Sequence, residues 1–241
     1  MQRDTPAANA PRLLLTGEHP CPYREDQLSR NIVVEPGSVR GRSDHTAFSS
    51  IGFRRSGEYL YRPHCSACSA CIPIRVPVAE FDWRRRYRRC WRQNKDLVVE
   101  ERDTSFDPEA FQLYQRYQAH RHPGGPMAEG DEQDYLGFIQ SQWADTRMIC
   151  FYGDGELVAV AIVDWLEDGA SAVYSFYEPS QSHRSLGQYT ILWQIEAVRA
   201  QNRPYVYLGY WIQDSPKMAY KTEYKPAELM LGGRWKRLLA D

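Results

Sequence analysis

The stretch from residue 147 to residue 210 constrains the fold more than any other. Residues 147–152 read as a strand, Gly153-Asp154-Gly155 supplies a hairpin turn, and residues 156–165 read as a second strand. Glu167-Asp168-Gly169-Ala170 turns the chain again, into a third strand over 171–177. A loop over 178–187, an amphipathic helix over 188–201 and a strand over 205–210 follow, with Arg203-Pro204 as the break before the last strand. An antiparallel meander followed by a helix and one more strand specifies an α+β domain with a mixed, mostly antiparallel sheet and flanking helices.

Upstream, an apolar stripe of Phe111, Leu113, Tyr114 and Tyr117 predicts a helix over 107–120, and a second helix is expected over about 131–143. Two prolines and two glycines make the loop His120-Arg121-His122-Pro123-Gly124-Gly125-Pro126-Met127 between them. Residues 97–101 read as a strand, and Thr104-Ser105-Phe106-Asp107-Pro108 marks a boundary. Residues 13–80 are short β-like pieces broken by Pro and Gly, and the polar, Pro/Ala-rich residues 1–12 are expected to be frayed. The expected division is therefore a disordered segment 1–12, a Cys-rich half with an arginine-rich helix over 13–105, and a second half over 106–241.

Three cysteines stand two residues apart in His64-Cys65-Ser66-Ala67-Cys68-Ser69-Ala70-Cys71, and Cys21 opens Cys21-Pro22-Tyr23. The spacing suits an iron–sulfur cluster with a distant fourth cysteine. It equally suits zinc, with His64 or Cys21 completing a tetrahedral set. Small semi-buried residues in a tight loop are the alternative, because free cysteine packs like a small hydrophobe. Cys90 and Cys150 read as structural. Six cysteines with no signal peptide argue for a reducing compartment rather than a disulfide framework.

From Arg84 to Lys95 there is no acidic residue. Arg84, Arg85, Arg86, Arg88, Arg89, Arg92 and Lys95 are interleaved with Trp83, Tyr87 and Trp91, which recur at intervals of four and so share one helix face. Asp82 is the expected cap, and the helix should end near Asn94. With the aromatic face packed inward, the cations cover the outside, and like charges so dense favour RNA or a phosphate-rich ligand over a merely solvated face. The net charge of the 241 residues is −1, so only this local excess points to a polyanion. No apolar stretch approaches the length that spans a bilayer, and a cytoplasmic protein is expected.

The order helix, helix, meander, helix, strand resembles the acetyltransferase-like fold of the GNAT type. In that family a loop at a helix N-terminus holds the pyrophosphate of coenzyme A. Here His183-Arg184-Ser185-Leu186-Gly187-Gln188-Tyr189 is similar to its R-x-x-G-x-small loop, with Arg184 and Gly187 in place. Tyr189 stands where the family has a small residue, and its ring is expected to crowd a pyrophosphate. A coenzyme A-dependent acyltransferase is therefore the second reading, and an RNA-binding or redox-sensing module built on the cysteines the third.

A wider resemblance covers residues 13–238. Cys21-Pro22-Tyr23, Gly52-Phe53-Arg54-Arg55-Ser56-Gly57, the Tyr61-to-Arg75 segment with its three cysteines and the arginine helix closely resemble the N-terminal part of the aminoacyl-tRNA–protein transferases. Tyr174-Ser175-Phe176-Tyr177, Ser185-Leu186-Gly187, Leu208-Gly209-Tyr210-Trp211-Ile212 and Lys217-Met218-Ala219-Tyr220-Lys221 resemble their C-terminal part. The short chain looks like the bacterial branch. The resemblance implies a duplicated GNAT-like fold. It implies transfer of leucine from leucyl-tRNA to proteins beginning with Asp or Glu, which marks them for N-degron degradation. Longer eukaryotic relatives transfer arginine, and the choice of leucine rests on the resemblance alone. It also implies a metal or cluster at Cys21, Cys65, Cys68 and Cys71 in the eukaryotic relatives, with no cofactor required for the chemistry.

The reaction so implied is aminolysis of an ester, for which an α-amine of pKa ~7.7–8.0 is already a competent nucleophile and positioning supplies most of the acceleration. No general base is assigned, and Tyr174 and Tyr210 are the positioning candidates. The acceptor's carboxylate needs cations. Arg75, Lys217, Lys221 and Arg55 are the candidates, with Tyr220 as a neutral donor, because Lys217, Tyr220 and Lys221 would meet on one helical turn. Arg184, Ser185, Gly187 and Gln188 are expected at the tRNA terminus, Arg184 with a carboxylate partner in the fold as its alternative role. Arg85, Arg88, Arg89 and Arg92 are expected on the acceptor stem. His120 and His122 receive no role.

Overall fold

The computed structural model of the chain describes residues 11–125 and 127–238. Of the expected frayed segment 1–12, only Pro11 and Arg12 fall within them. In chain order the first half contains β1 (Leu13–Leu15), β2 (His19–Pro20), β3 (Leu28–Ser29), β4 (Asn31–Val34), α1 (Arg42–Ser50), β5 (Arg54–Ser56), β6 (Tyr59–Pro63), β7 (Ile72–Pro77), α2 (Arg85–Gln93) and β8 (Val98–Arg102). The second contains α3 (Pro108–Arg121), α4 (Glu132–Ile139), β9 (Thr146–Gly153), β10 (Glu156–Trp165), β11 (Gly169–Tyr177), α5 (Leu186–Ala200), β12 (Tyr205–Trp211), α6 (Pro216–Ala219), β13 (Glu228–Leu231) and β14 (Arg234–Arg237).

The apolar run of β10 becomes the centre of the molecule, buried from Leu157 to Trp165. A strand covered on both faces reads as a continuous hydrophobic run, not as an alternation. On one face Val158, Ala161 and Val163 pack with Phe151, Leu192 and Ile195 under α2 and α5. On the other, Leu157, Val160 and Ile162 pack with Leu113, Tyr114 and Ile139 under α3 and α4. The sheet order is β14-β13-β7-β12-β11-β10-β9-β8, antiparallel except where β11 and β12 run parallel with α5 as the crossover. The local expectations for the meander, α5 and β12 match within a few residues. Helix α3 runs to Arg121, so the loop begins two residues later than expected. Asp107 caps it by accepting from the N–H groups of Glu109 and Ala110, and Asp131 forms a capping box with Asp134 at α4.

Strand β7, from the first half, lies between β12 and β13, and β8 forms the far edge. One sheet thus crosses the expected boundary at residue 105. A separate four-stranded sheet, β1-β4-β6-β5, is antiparallel throughout and has no parallel crossover of its own. It packs over Val34, Val39, Phe53 and Leu60.

One buried ion pair joins this sheet to the large one. Asp164, the single charge in β10 between its buried ends, accepts from Arg55 Nε at 2.8 Å and Nη2 at 2.9 Å, and from Thr146 Oγ1 at 2.7 Å. Arg55 completes its donors on the carbonyls of Gly57, Ile139 and Gln140. Burial would push the Asp164 carboxyl up, but the charge of Arg55 and the hydrogen bonds from Arg55 and Thr146 hold it below the usual range. His45, whose Nε2 is 3.7 Å from Asp164, is lowered by burial to about 4 and is neutral at pH 7.

Candidate active site at a splayed strand pair

Strands β11 and β12 are in register for three residues only, Gly169 with Tyr205, Ala170 with Val206 and Ser171 with Tyr207. Beyond that they part. β11 stays with β10 to Tyr177, whereas β12 shifts register between Tyr207 and Gly209 and continues along β7 to Trp211. A wedge opens at the carboxyl ends of two parallel strands joined by a helix, the place where α/β sheets bind ligands.

Arg54 closes the apex. It donates to Ser171 Oγ at 2.8 Å, to the Tyr207 carbonyl at 3.5 Å and to the Ala172 carbonyl. Gly209 makes room for it. Its φ of +83° is the left-handed region that glycine tolerates, and a Cβ there would stand 3.1 Å from Arg54 Nε. Sequence reasoning missed Arg54 beside Arg55. Adjacent strand residues point to opposite faces, so one arginine meets Asp164 and the other meets the wedge.

Lys221 follows α6 on a 3-10 turn over Tyr220–Glu223. It is buried, and its Nζ donates to the Tyr210 carbonyl at 2.8 Å. Burial, reinforced by the Arg54 charge, lowers this amine to about 7. Neither Arg54 nor Lys221 has an ion pair among the described residues. The charge of Arg54 also reaches Tyr23, Tyr61 and Tyr210. These three rings line a cavity of about 140 Å³ with Cys21, Cys65, Cys68 and Cys71. Tyr210 fixes one wall by donating to the carbonyls of Gly52 at 3.0 Å and Tyr61 at 3.2 Å.

The expected cation cluster is rearranged. Lys217 and Tyr220 are exposed while Lys221 points inward, so the three do not converge as one helical turn would have placed them. Arg55 is taken by Asp164. Arg75 is sandwiched between Tyr205 and Trp235, 3.5 and 4.4 Å from their centroids, and is paired with Glu228 at 2.7 Å. These two arginines hold the fold together.

The other wall of the wedge is aromatic. Tyr174 accepts from Gln118 Nε2 at 2.9 Å, Tyr117 meets Tyr177 edge-on at 5.0 Å, and Gln118 Oε1 is buried without a partner among the described residues. Gln118 left no sequence signal beyond its place on α3. Tyr177 lies close against α5, where a Cβ on Gly187 would come within 2.9 Å of its ring. Burial, and then the charges of Lys217 and Arg121, lower His122 nearby.

Helix α5 begins at this mouth. Ser185 takes a left-handed conformation (φ +54°), and the N–H groups of Leu186 and Gly187 are those a helix leaves without internal partners. Gln188 follows them on the first turn. Arg184 is held by Asp96 through two bonds of 2.9 and 2.8 Å. It therefore braces the loop, the alternative expected for it. Tyr189 is corrected: its ring turns into the core against Trp91 and Phe151 at 5.3 and 5.6 Å and does not crowd the helix N-terminus. The argument it offered against coenzyme A falls.

Helix α2 keeps its aromatic face inward, but Asp82 is not its side-chain cap and instead pairs with Arg84. Arg86 pairs with Glu223. Arg85, Arg88, Arg89 and Arg92 have no carboxylate partner among the described residues, and all four are exposed. The four cysteines meet at one cavity, yet no three His, Cys, Asp or Glu among the described residues are grouped to hold a metal ion. Burial and the three neighbouring sulfurs push Cys71 up to about 11.

Comparison with known proteins covers most of this architecture. Residues 19–89 match the family model described as arginine-tRNA-protein transferase, N terminus, and residues 109–231 match its C terminus. The chain is 44% identical over 225 residues to the aspartate/glutamate leucyltransferase of Teredinibacter turnerae, covering 93% of each protein. It is 46% identical over 222 residues to that of Nitrosococcus oceani, covering 92% of this chain and 93% of the relative. Among solved structures it is similar to the C-terminal domain of a putative lysylphosphatidylglycerol synthetase from Agrobacterium fabrum, with TM-score 0.48, 15% identity, and coverage of 70% of this chain and 58% of that one. With both family models matched in chain order and identity sustained over nine-tenths of its length, the chain belongs to the arginine-tRNA-protein transferase family.

Proposed function

We propose that the protein transfers leucine from leucyl-tRNA to the α-amine of proteins whose first residue is Asp or Glu. The observation that carries this reading is the pair Arg54 and Lys221. Two cations, one buried and one half-buried, lie beside a cavity without a carboxylate among the described residues. A desolvated cation pair is unfavourable until an anion arrives. An Asp or Glu side chain supplies it, taking a charge-assisted bond from the Arg54 guanidinium and raising Lys221 back to its charged form. Lys217 and Tyr220, at the surface, meet the acceptor on its way in. The cysteine-lined cavity thereby serves as the acceptor pocket.

The esterified adenosine lies in the wedge, with the first N–H groups of α5 toward its phosphate. The acceptor nitrogen attacks the ester carbonyl carbon. The carbon–oxygen bond to the ribose breaks, and the one proton the nitrogen loses passes through water to the departing ribose oxygen. Backbone N–H groups where the strands part are the donors this reading assigns to the developing oxyanion. Gln118 Oε1 accepts from an amine N–H, and Tyr174 keeps that amide in place, so both are positioning residues. The acyltransferase plan of the larger sheet, meander then crossover to a parallel strand, supports the same chemistry, and the product carries the leucine tag of an N-degron. A charged-tRNA donor places the reaction in the cytoplasm. Among the described residues no helix is long and apolar enough to cross a membrane.

The test compares peptides beginning with Asp and with its neutral isostere Asn. Arg54→Gln and Lys221→Met should raise the KM for the Asp peptide at least tenfold, with the KM for leucyl-tRNA unchanged. An unaltered Asp-over-Asn preference in both variants would remove the pair from the acceptor pocket.

A further inference from the structure

Helices α2 and α5 leave an open groove of about 540 Å³ on the outside of the molecule, lined by Trp83, Arg88, Trp91, Arg92, Lys95 and Glu196. Trp83 and Trp91 meet edge to face at 5.5 Å, which leaves a ring face of one indole beside the edge of the other. Both are only partly buried. Arg88, Arg92 and Lys95 are exposed and have no carboxylate partner among the described residues, whereas Arg84 and Arg86 of the same run do. Glu196 does not neutralise these cations, because it is held by Trp83 Nε1 at 3.2 Å and by Arg199.

We infer that this groove binds an unpaired nucleotide of RNA. An indole face stacks on a base. Three free cations on one rim follow a phosphate backbone. An A-form duplex offers its phosphates but keeps its base faces stacked inside, so a duplex would use the cations and leave the tryptophans idle. Glu196, a fixed acceptor at the side of the stack, selects a base with an exocyclic amino group and disfavours uracil, which presents a carbonyl there. Glu196 is ten residues along α5 from Leu186, about 15 Å at the helical rise. The groove therefore takes a different nucleotide from the one that carries the ester. This assignment rests on the proposed tRNA donor and adds where an unpaired part of that RNA is held.

Intrinsic tryptophan fluorescence tests it, with uncharged single-stranded oligocytidine, oligouridine and a blunt RNA duplex as ligands. Oligocytidine should quench and bind more tightly than oligouridine. The duplex should bind with little quenching. Trp91→Leu should weaken oligocytidine binding at least about fivefold. Glu196→Gln, which keeps a carbonyl acceptor for Trp83, should bring cytidine and uridine affinities together. Because Trp91 also packs on Tyr189, Arg88→Gln with Arg92→Gln serves as an independent variant that should weaken binding without touching the core. Equal quenching by strand and duplex, or wild-type affinity and base preference in all three variants, overturns the assignment. The oligonucleotides carry no amino acid, so a failure of leucyl transfer would sink the function while leaving this measurement intact.

Discussion

Lys221 ties the chemistry of the site to the stability of the fold. Its folded-state value of about 7 lies below the 10.5 of a free lysine. Between these values the unfolded chain holds a proton that the native amine does not, so unfolding takes up protons and stability rises with pH. The useful window runs from pH 7 to about 9, where cysteines of the unfolded chain begin to ionise. There the native protein should gain up to about 1.4 kcal/mol per pH unit from this group. Lys221→Met should flatten that slope in urea denaturation, and an unchanged slope would place the amine in water. Which of two neighbouring arginines meets Asp164 and which turns to the wedge was not legible in Arg54-Arg55. The residue type is identical at both positions, and only the phase of β5 against the two sheets separates them. Tyr189 misled for a related reason, since a helix-start motif names a residue but not the face it turns to.

Among the elements, the meander, α5 and β12 were legible because each is made by local signals: turn glycines, a continuous apolar run and a 3.6-residue period. The place of β7 between β12 and β13 was not, because its pairing partners lie more than 100 residues further along the chain. Helix α2 was read correctly for its inward aromatics and outward cations, but its ion pairs were hidden in Glu223 and Asp82. Arg85 and Arg89, one turn apart on this helix, should bind phosphates of the donor. Reversing both to Glu should weaken tRNA binding and make the plot of log affinity against log salt shallower by roughly 0.7–0.9 for each phosphate no longer neutralised. Filter binding at several salt concentrations measures this, and a parallel line would return these arginines to the role of a solvated face.

For the molecule as a whole, the Arg55–Asp164 pair fastens the small sheet to the large one. Asp164→Ala leaves a buried guanidinium uncompensated and should destabilise the protein by about 3–5 kcal/mol. Arg55→Met with Asp164→Leu, which removes both charges, should recover most of that. A urea midpoint unmoved by Asp164→Ala would mean that the sheets hold together without the pair. The halves expected from the sequence are thus bound by a shared sheet and a buried ion pair, and the cavity proposed for the acceptor is built from both, with Tyr23 and Tyr61 from the first and Tyr210 from the second. The central claim is that this joint seats a protein's acidic N-terminus beside an esterified RNA end. Mass spectrometry of an Asp-initiated peptide incubated with the protein and leucyl-tRNA tests it directly. The account predicts a gain of one leucyl residue at the peptide's α-amine. A peptide that stays unchanged with leucyl-tRNA but gains an acetyl group from acetyl-coenzyme A would contradict it.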